Sequence, residues 1–168
     1  ADGLATIDLC DAQRARDAGW KKRILLLEGF FDRTDIEPLQ ELGVETVIHS
    51  PWQIDILRSM PLTDVRVHIK VNSGMNRLGF LPIEVNTVWE QLTSIKGVKV
   101  MGTVTHFANA EWSYDAQKPV SVDKQLARMG YLAHSATAAC MANSAGILWH
   151  PEVGGDGVRA GVALYGVS

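Results

Sequence analysis

The chain has 168 residues and a formal net charge of -3, with 46% hydrophobic and 21% charged residues. This composition predicts one globular unit with a core, and the acidic charge argues against a nucleic-acid partner, which would need a basic surface. No apolar run is long enough to span a membrane, and no signal peptide is visible at the N-terminus. The cysteines, Cys10 and Cys140, are predicted to be buried free thiols, as is typical of a cytoplasmic protein, with a disulfide or a metal pair as the alternative.

Short β-rich segments alternate with amphipathic helical segments along the chain. Strands are predicted at residues 4–7, 24–27, 44–48, 65–71, 98–105, 138–142 and 158–165. The continuous apolar run at 24–27 is typical of a parallel strand that is covered on both faces. The alternation favours an α/β fold with a parallel sheet and right-handed crossovers. These seven strands are one fewer than a closed barrel requires, so the predicted architecture is an incomplete (β/α)₈ barrel.

Characteristic residues mark the starts and ends of the predicted helices. An apolar face over residues 9–18 ends at Gly19, and a second apolar stripe over residues 85–95 ends at Gly97. A further helix is predicted over residues 122–135. Capping boxes predict two helix starts: Thr34 with Glu37, and Ser50 with Gln53, the latter with Pro51 at the first helical position.

The strand at 65–71 carries an unusual polar face. Its valines and isoleucine alternate with Arg66, His68 and Lys70, and Asn72 continues the alternation. In a barrel the aliphatic face packs against the helices, so Lys70 and Asn72 would point inward near the carboxyl-end rim. Because a buried lysine without a partner is costly, an open sheet edge with a solvated polar face remains an alternative.

Other predicted strand ends also carry groups that suit an anionic ligand. Arg77 lies in the glycine-bearing loop after 65–71, and His106 ends the strand at 98–105. Asn143 and Ser144 follow 138–142, and the last segment contains Arg159 and Gly161. Singly, each has an ordinary alternative, such as a solvated arginine, a structural histidine or a turn glycine. Together they are typical of the carboxyl-end face where barrel enzymes bind phosphate and perform catalysis.

Four blocks of sequence resemble bacterial alanine racemases, in the same order. They are His68-Ile-Lys-Val-Asn-Ser-Gly-Met-Asn-Arg-Leu-Gly-Phe80, Thr105-His-Phe107, Asn143-Ser-Ala145 and Val158-Arg-Ala-Gly-Val-Ala-Leu-Tyr-Gly166. Leu25-Leu-Leu-Glu-Gly-Phe-Phe31 is similar to the third barrel strand of that family. Asn72 and the stretch Trp149-His-Pro-Glu152 look most like its catabolic branch. The resemblance covers essentially the whole chain, which would then be part of the N-terminal barrel domain over residues 1–168.

The resemblance implies a pyridoxal 5′-phosphate cofactor and assigns a role to each residue of the site. Arg159 matches the arginine that faces the pyridine nitrogen, and His106 matches the residue that supports it. Arg77 matches the arginine facing the phenolic oxygen, and Lys70 matches a lysine that is often carbamylated and positions it. The remaining matches are Ser144 with the N–H groups of Gly161 and Val162 for the phosphate cradle, Asn143 beside that cradle, and Leu27 as an apolar wall.

The resemblance also implies parts that these residues do not contain. The lysine that forms the Schiff base is expected before Ala1, and the β-domain with the tyrosine base is expected after Ser168. Two local departures from the family pattern are Ala160 in place of proline and the segment Gly154-Gly-Asp-Gly157 in place of aromatic residues. The fragment is therefore expected to be inactive alone.

The expected parent is a cytoplasmic isomerase that interconverts L-alanine and D-alanine, for peptidoglycan synthesis or for catabolism. Its expected partners are the substrate alanine and a second copy in a homodimer, with neither nucleic acid nor membrane involved. The fragment is expected to self-associate or to need its missing segments. The alternatives are a non-catalytic barrel that binds pyridoxal phosphate and an inactive structural fragment.

Overall fold

The computed structural model describes residues 1–111, 120–129, 138–151, 153 and 155–166. Its strands are β1 (Gly3–Thr6), β2 (Arg23–Leu26), β3 (Glu45–Ile48), β4 (Val65–Lys70), β5 (Val98–Val104) and β6 (Ala138–Cys140). Its α-helices are α1 (Leu9–Asp17), α2 (Ile36–Glu41), α3 (Pro51–Arg58), α4 (Val85–Thr93), α5 (Val122–Met129) and α6 (Ser144–Trp149). Hydrogen bonds join the strands in chain order, β1-β2-β3-β4-β5-β6, within the described residues.

The chain divides into two compact units, and the first comprises Ala1–Ile69 and Thr87–Met101. In this unit β1 pairs with β2, β2 with β3, and β3 with β4, and all three pairs are parallel. Aliphatic side chains of β2, β3 and β4 are buried, as expected for parallel strands covered on both faces. The helices contribute further buried side chains: Ala12, Ile36, Leu39, Ile54, Leu57 and Leu92.

The second unit comprises Lys70–Asn86 and Gly102–Ser168. Its core cluster contains Phe107, Ala110, Val122 and Val153, with Leu126, Met141 and Ala145 packed against it. Residues 102–104 of β5 pair in parallel with β6. A Cβ at Gly102 would come within 1.9 Å of the Ala138 carbonyl oxygen, so this strand pair needs glycine at that position.

Six of the predicted strands are confirmed, but the seventh, at 158–165, is wrong. Val162–Tyr165 forms a 3-10 turn instead. The Gly161 carbonyl accepts the N–H of Leu164, and Gly166, with φ of +77°, ends the turn in the left-handed region. These local bonds pair backbone groups that a strand would have offered to a neighbour. Residues 130–135 of the helix predicted over 122–135 lie outside the described residues, as do Glu152 and Gly154.

The predicted helix caps are only partly right. The box of Thr34 and Glu37 is wrong, because Asp32 caps a preceding 3-10 turn and Asp35 accepts hydrogen bonds from Phe31 and Asp32 N–H groups. The capping box therefore lies two residues earlier in the chain than predicted. Ser50 is the N-cap of α3 and Pro51 its first residue, as predicted, but the Ser50 side chain makes no capping bond. Gln53 instead accepts from the N–H of His49 at 2.7 Å.

Two further properties of the chain can be read from the described residues. No helix among them is long and apolar enough to cross a membrane. Both cysteines are free thiols, but the prediction that they are buried is wrong, since Cys10 is exposed and Cys140 is half-buried. Cys10 lies near the start of α1, on a helix whose fully buried position is Ala12.

Candidate functional site

Lys70 is the last residue of β4, and its side chain is buried. Lys70 is 8% exposed and His68 is 4% exposed, whereas Arg66 on the same strand is exposed. The alternative of a solvated polar face therefore fails at Lys70. Gly79, with φ of +113°, packs directly on this lysine, because a Cβ there would lie 2.8 Å from both Lys70 Cγ and Lys70 O.

The loop after β4 is organised by the side-chain amide of Asn72. Its Oδ1 accepts hydrogen bonds from the N–H groups of Gly74 and Asn76, at 3.1 and 3.0 Å. Its Nδ2 donates to Oδ1 of Asn76, which has a positive φ of 56°. The loop closes where Asn72 N–H donates to the carbonyl of Phe80. This framework holds the segment that carries Arg77, whose side chain is exposed.

A small cleft lies at the end of β4. Its lining combines two cationic side chains and one imidazole with apolar groups: Lys70, Val71, Asn72, Met75, Arg77, Leu78 and His106. Lys70, Arg77 and His106 therefore lie around the same cleft. Asn72 also lines this cleft, as its predicted inward direction implied.

His106 follows β5 and is held in its neutral form. Burial lowers its pKa most, and the charges of Arg159, Lys70 and Arg77 lower it further, to about 4. Two of these cations, Lys70 and Arg77, line the same cleft as the imidazole. Among the described hydrogen bonds, the ring contacts Asn143, with 3.3 Å between Asn143 Nδ2 and His106 Nε2.

Arg159 is tied to the ends of β5 and β6. One guanidinium nitrogen donates to the carbonyl of Cys140 at 2.7 Å and contacts its Sγ at 2.9 Å. The other donates to the carbonyls of Thr105 and Met141. The main-chain N–H of Arg159 donates to the carbonyl oxygen of Ala142 at 2.9 Å. The guanidinium is thus fixed by four contacts, and its charge cannot swing into solvent without breaking them.

Asn143 and Ser144 form the start of α6. Asn143 is its N-cap, and its Oδ1 accepts the N–H of Gly146 at 2.9 Å. Ser144 is 6% exposed, and its hydroxyl accepts the N–H of Ala163 at 3.2 Å. This bond places Ser144 beside the turn that begins at Gly161 and Val162, both of which are exposed. The predicted phosphate-cradle residues therefore adjoin one another.

Leu27 is the one predicted site residue that belongs to the other compact unit. It is half-buried and directly follows β2, and its N–H donates to Thr6. The remaining predicted residues, Lys70, Arg77, His106, Asn143, Ser144, Arg159, Gly161 and Val162, all lie in the second unit.

Sequence reasoning missed two residues that shape the site. Thr105 is 1% exposed, donates its hydroxyl to the carbonyl of Val71 and contacts Ser73 Oγ at 2.8 Å, which joins β5 to the loop after β4. Cys140 holds Arg159 through both its carbonyl and its thiol. A hydroxyl directly before His106 was a visible signal, but a lone cysteine in an apolar strand gave none.

A family model described as the N-terminal domain of alanine racemase matches residues 1–168. The chain belongs to the alanine racemase family. It is 43% identical to an alanine racemase of Erwinia tasmaniensis, across 99% of this chain and 46% of that protein. It is also 43% identical to a catabolic alanine racemase of Klebsiella aerogenes, across 100% of this chain and 46% of that protein.

A solved alanine racemase shares this fold. The crystal structure of the biosynthetic alanine racemase of Pseudomonas aeruginosa superposes with a TM-score of 0.89 at 32% identity, across 100% of this chain and 46% of that chain. The chain spans about half the length of the curated relatives it matches. Its fold is that of the N-terminal part of alanine racemases, which confirms the predicted fold class.

Proposed function

We propose that the protein containing this chain interconverts L-alanine and D-alanine with pyridoxal 5′-phosphate. Residues 1–168 would supply most of its cofactor-binding barrel domain. The observation that supports this most directly is that two cationic side chains, Lys70 and Arg77, line one cleft together with His106. So much positive charge around one cleft suits an anionic ligand, such as a phosphate ester or an amino-acid carboxylate.

The donor groups beside α6 fit the phosphate of that cofactor. The Ser144 hydroxyl already contacts the Ala163 N–H, and a Cβ placed on Gly161 would meet no atom within 4 Å. The space beside Gly161 lets a ligand approach the main chain closely. Ser144 would bind the phosphate together with the N–H groups of Gly161 and Val162, which is a common role of the last strand ends of such barrels.

When bound, pyridoxal phosphate withdraws electrons from the α-carbon of an amino acid and makes its α-proton acidic. Arg159 presents a fixed positive charge, which disfavours protonation of a neighbouring ring nitrogen. Arg77 offers rigid donors to an anionic oxygen, and Lys70, buried in the same cleft, would position it. If Lys70 is carried as an anionic carbamate, the positive charge beside His106 comes from Arg159 and Arg77 alone. His106 is neutral, so it adds no further charge beside Arg159, and Leu27 would form an apolar wall.

The assay is the production of D-alanine from L-alanine by the full-length protein with added pyridoxal phosphate, detected through a D-amino-acid oxidase. Arg159→Ala should lower kcat/KM by about 100-fold or more, because the fixed charge is lost. Arg33→Ala, on the exposed 3-10 turn before α2, is the control and should leave kcat/KM unchanged. Bound cofactor without D-alanine would favour the non-catalytic carrier, and no bound cofactor would favour a structural fragment.

We also propose that the 168 residues alone do not racemise alanine. Racemisation needs a base on each face of the α-carbon, and the resemblance places both bases outside these residues. Turnover by the isolated chain within about tenfold of the full-length protein, a barrier difference of about 1.4 kcal/mol, would contradict this. A cytoplasmic homodimeric parent, acting in D-alanine supply for peptidoglycan or in alanine catabolism, completes the proposal.

A further inference from the structure

The side-chain amide of Asn143 is oriented unambiguously by its neighbours. Its Oδ1 accepts the main-chain N–H of Gly146 at 2.9 Å, which only an oxygen can do. Its Nδ2 lies 3.3 Å from the carbonyl oxygen of Phe107, which only accepts hydrogen bonds. Exchanging the two amide atoms would set a nitrogen against an N–H and an oxygen against a carbonyl. The group facing His106 is therefore a donor.

This orientation determines which nitrogen of His106 can carry the proton. The Asn143 Nδ2 lies 3.3 Å from His106 Nε2. Because an amide NH₂ has two hydrogens, it can donate one to Phe107 and one to the imidazole. The imidazole nitrogen that receives such a bond must present a lone pair, so the proton of the neutral ring lies on Nδ1.

We propose that Asn143 is a positioning residue that fixes the proton of His106 on Nδ1 and keeps Nε2 as a hydrogen-bond acceptor. The catalytic meaning of this role rests on the proposed function, since His106 would act beside Arg159 in the cofactor site. The charged groups acting on the imidazole are Arg159, Lys70 and Arg77, and all three are cations that oppose a second proton. These cations disfavour the doubly protonated ring, and Asn143 in addition selects which nitrogen carries the single proton. A proton on Nε2 would point at the hydrogens of the Asn143 amide.

Two substitutions separate this role from the capping of α6. Asn143→Asp keeps an oxygen for the Gly146 N–H, since aspartate and asparagine cap helices about equally well, but it turns a carboxylate oxygen toward Nε2. Asn143→Ser also retains an N-cap residue, but its short side chain cannot reach the imidazole. Aspartate should attract a proton to Nε2, whereas serine should only release the preference between the nitrogens.

The measurement is a two-bond ¹H–¹⁵N spectrum of the protein labelled with ¹⁵N-histidine. The chain has five histidines, so the His106 signals can be assigned by their loss in His106→Gln. We expect the wild-type ring to remain neutral with its proton on Nδ1 through the range of about pH 6 to 8, where an ordinary histidine titrates. Asn143→Asp should raise the pKa of His106 by about one unit or more, a tenfold gain in proton affinity, and move the proton to Nε2.

A proton on Nε2 in the wild type would overturn the proposal, as would an Asn143→Asp spectrum identical to that of Asn143→Ser. If Asn143→Asp fails to fold, the wild-type spectrum alone decides where the proton lies. The spectra need neither cofactor nor turnover. A wrong tautomer in an active racemase would therefore refute this inference alone, and a correct tautomer without racemisation would refute only the proposed function.

Discussion

The ion cluster around Glu45 gives a quantitative prediction for the stability of the first compact unit. The Glu45 carboxylate, 3% exposed, accepts two hydrogen bonds of 2.8 Å from Arg23 and one of 2.7 Å from His68. Burial raises the pKa of Glu45, but the hydrogen bonds and charges of His68 and Arg23 outweigh it and lower the pKa from 4.5 to about 2. At about 1.36 kcal/mol per pKa unit, this corresponds to about 3 kcal/mol of folding free energy.

Solvent reduces this figure, because the Arg23 side chain is 61% exposed. We therefore expect Glu45→Gln to lower the free energy of unfolding by about 2 kcal/mol at neutral pH. The folded-state pKa lies below the unfolded value, so the stabilisation is complete above about pH 4.5 and is lost as the pH falls through about 2. The difference between variant and wild type should shrink over the same range.

Urea unfolding of the chain, followed by tryptophan fluorescence at neutral pH and in acid, measures this effect. The matched control is Glu90→Gln, on the exposed side of α4, which should change stability by less than about 0.5 kcal/mol. The reasoning is refuted if Glu45→Gln is no less stable than the control at neutral pH. A loss of the same size in strong acid would also refute it.

Three further substitutions test other contacts. Gly102→Ala should destabilise the chain by about 3 kcal/mol or more in thermal unfolding, because its Cβ would collide with the Ala138 carbonyl, whereas Gly157→Ala, with 3.6 Å of space, should be nearly neutral. Arg159→Lys should lower the free energy of unfolding by about 1–3 kcal/mol in the same assay, since an ammonium cannot replace the guanidinium contacts. Equal melting temperatures of variant and wild type would count against this. Ser144→Ala should weaken binding of inorganic phosphate, measured by calorimetry, by about fivefold or more, and unchanged affinity would argue against the cradle.

Much of the first unit could be predicted from sequence because its signals are local. A run of apolar residues such as Ile24 to Leu27 indicates a buried parallel strand whatever surrounds it. Strict alternation likewise predicted a buried Lys70, and the strand bears this out. The strand predicted from Val158 was wrong because the apolar residues of this segment fit both a strand and a 3-10 turn. The hydrogen bonds that stabilise the turn form within it, and the apolar pattern does not reveal them.

The sequence could predict which residues line the candidate site, but it could not predict the hydrogen bonds and contacts among them. That Lys70, Arg77 and His106 line one cleft follows from their places at successive strand ends. The thiol of Cys140 beside Arg159 depends instead on the exact path of a loop around β6, which no periodicity encodes. The orientation of the Asn143 amide likewise depends on a helix cap and a carbonyl from separate segments.

The central claim is that this chain belongs to the cofactor site of an enzyme that removes and returns the α-proton of alanine. The most direct test is to incubate the full-length protein with L-alanine and pyridoxal phosphate in D₂O and to examine the alanine by chiral separation and mass spectrometry. We predict D-alanine that carries deuterium at its α-carbon, formed only when the cofactor is bound. Cofactor-loaded protein that leaves L-alanine unchanged and free of deuterium would contradict the account.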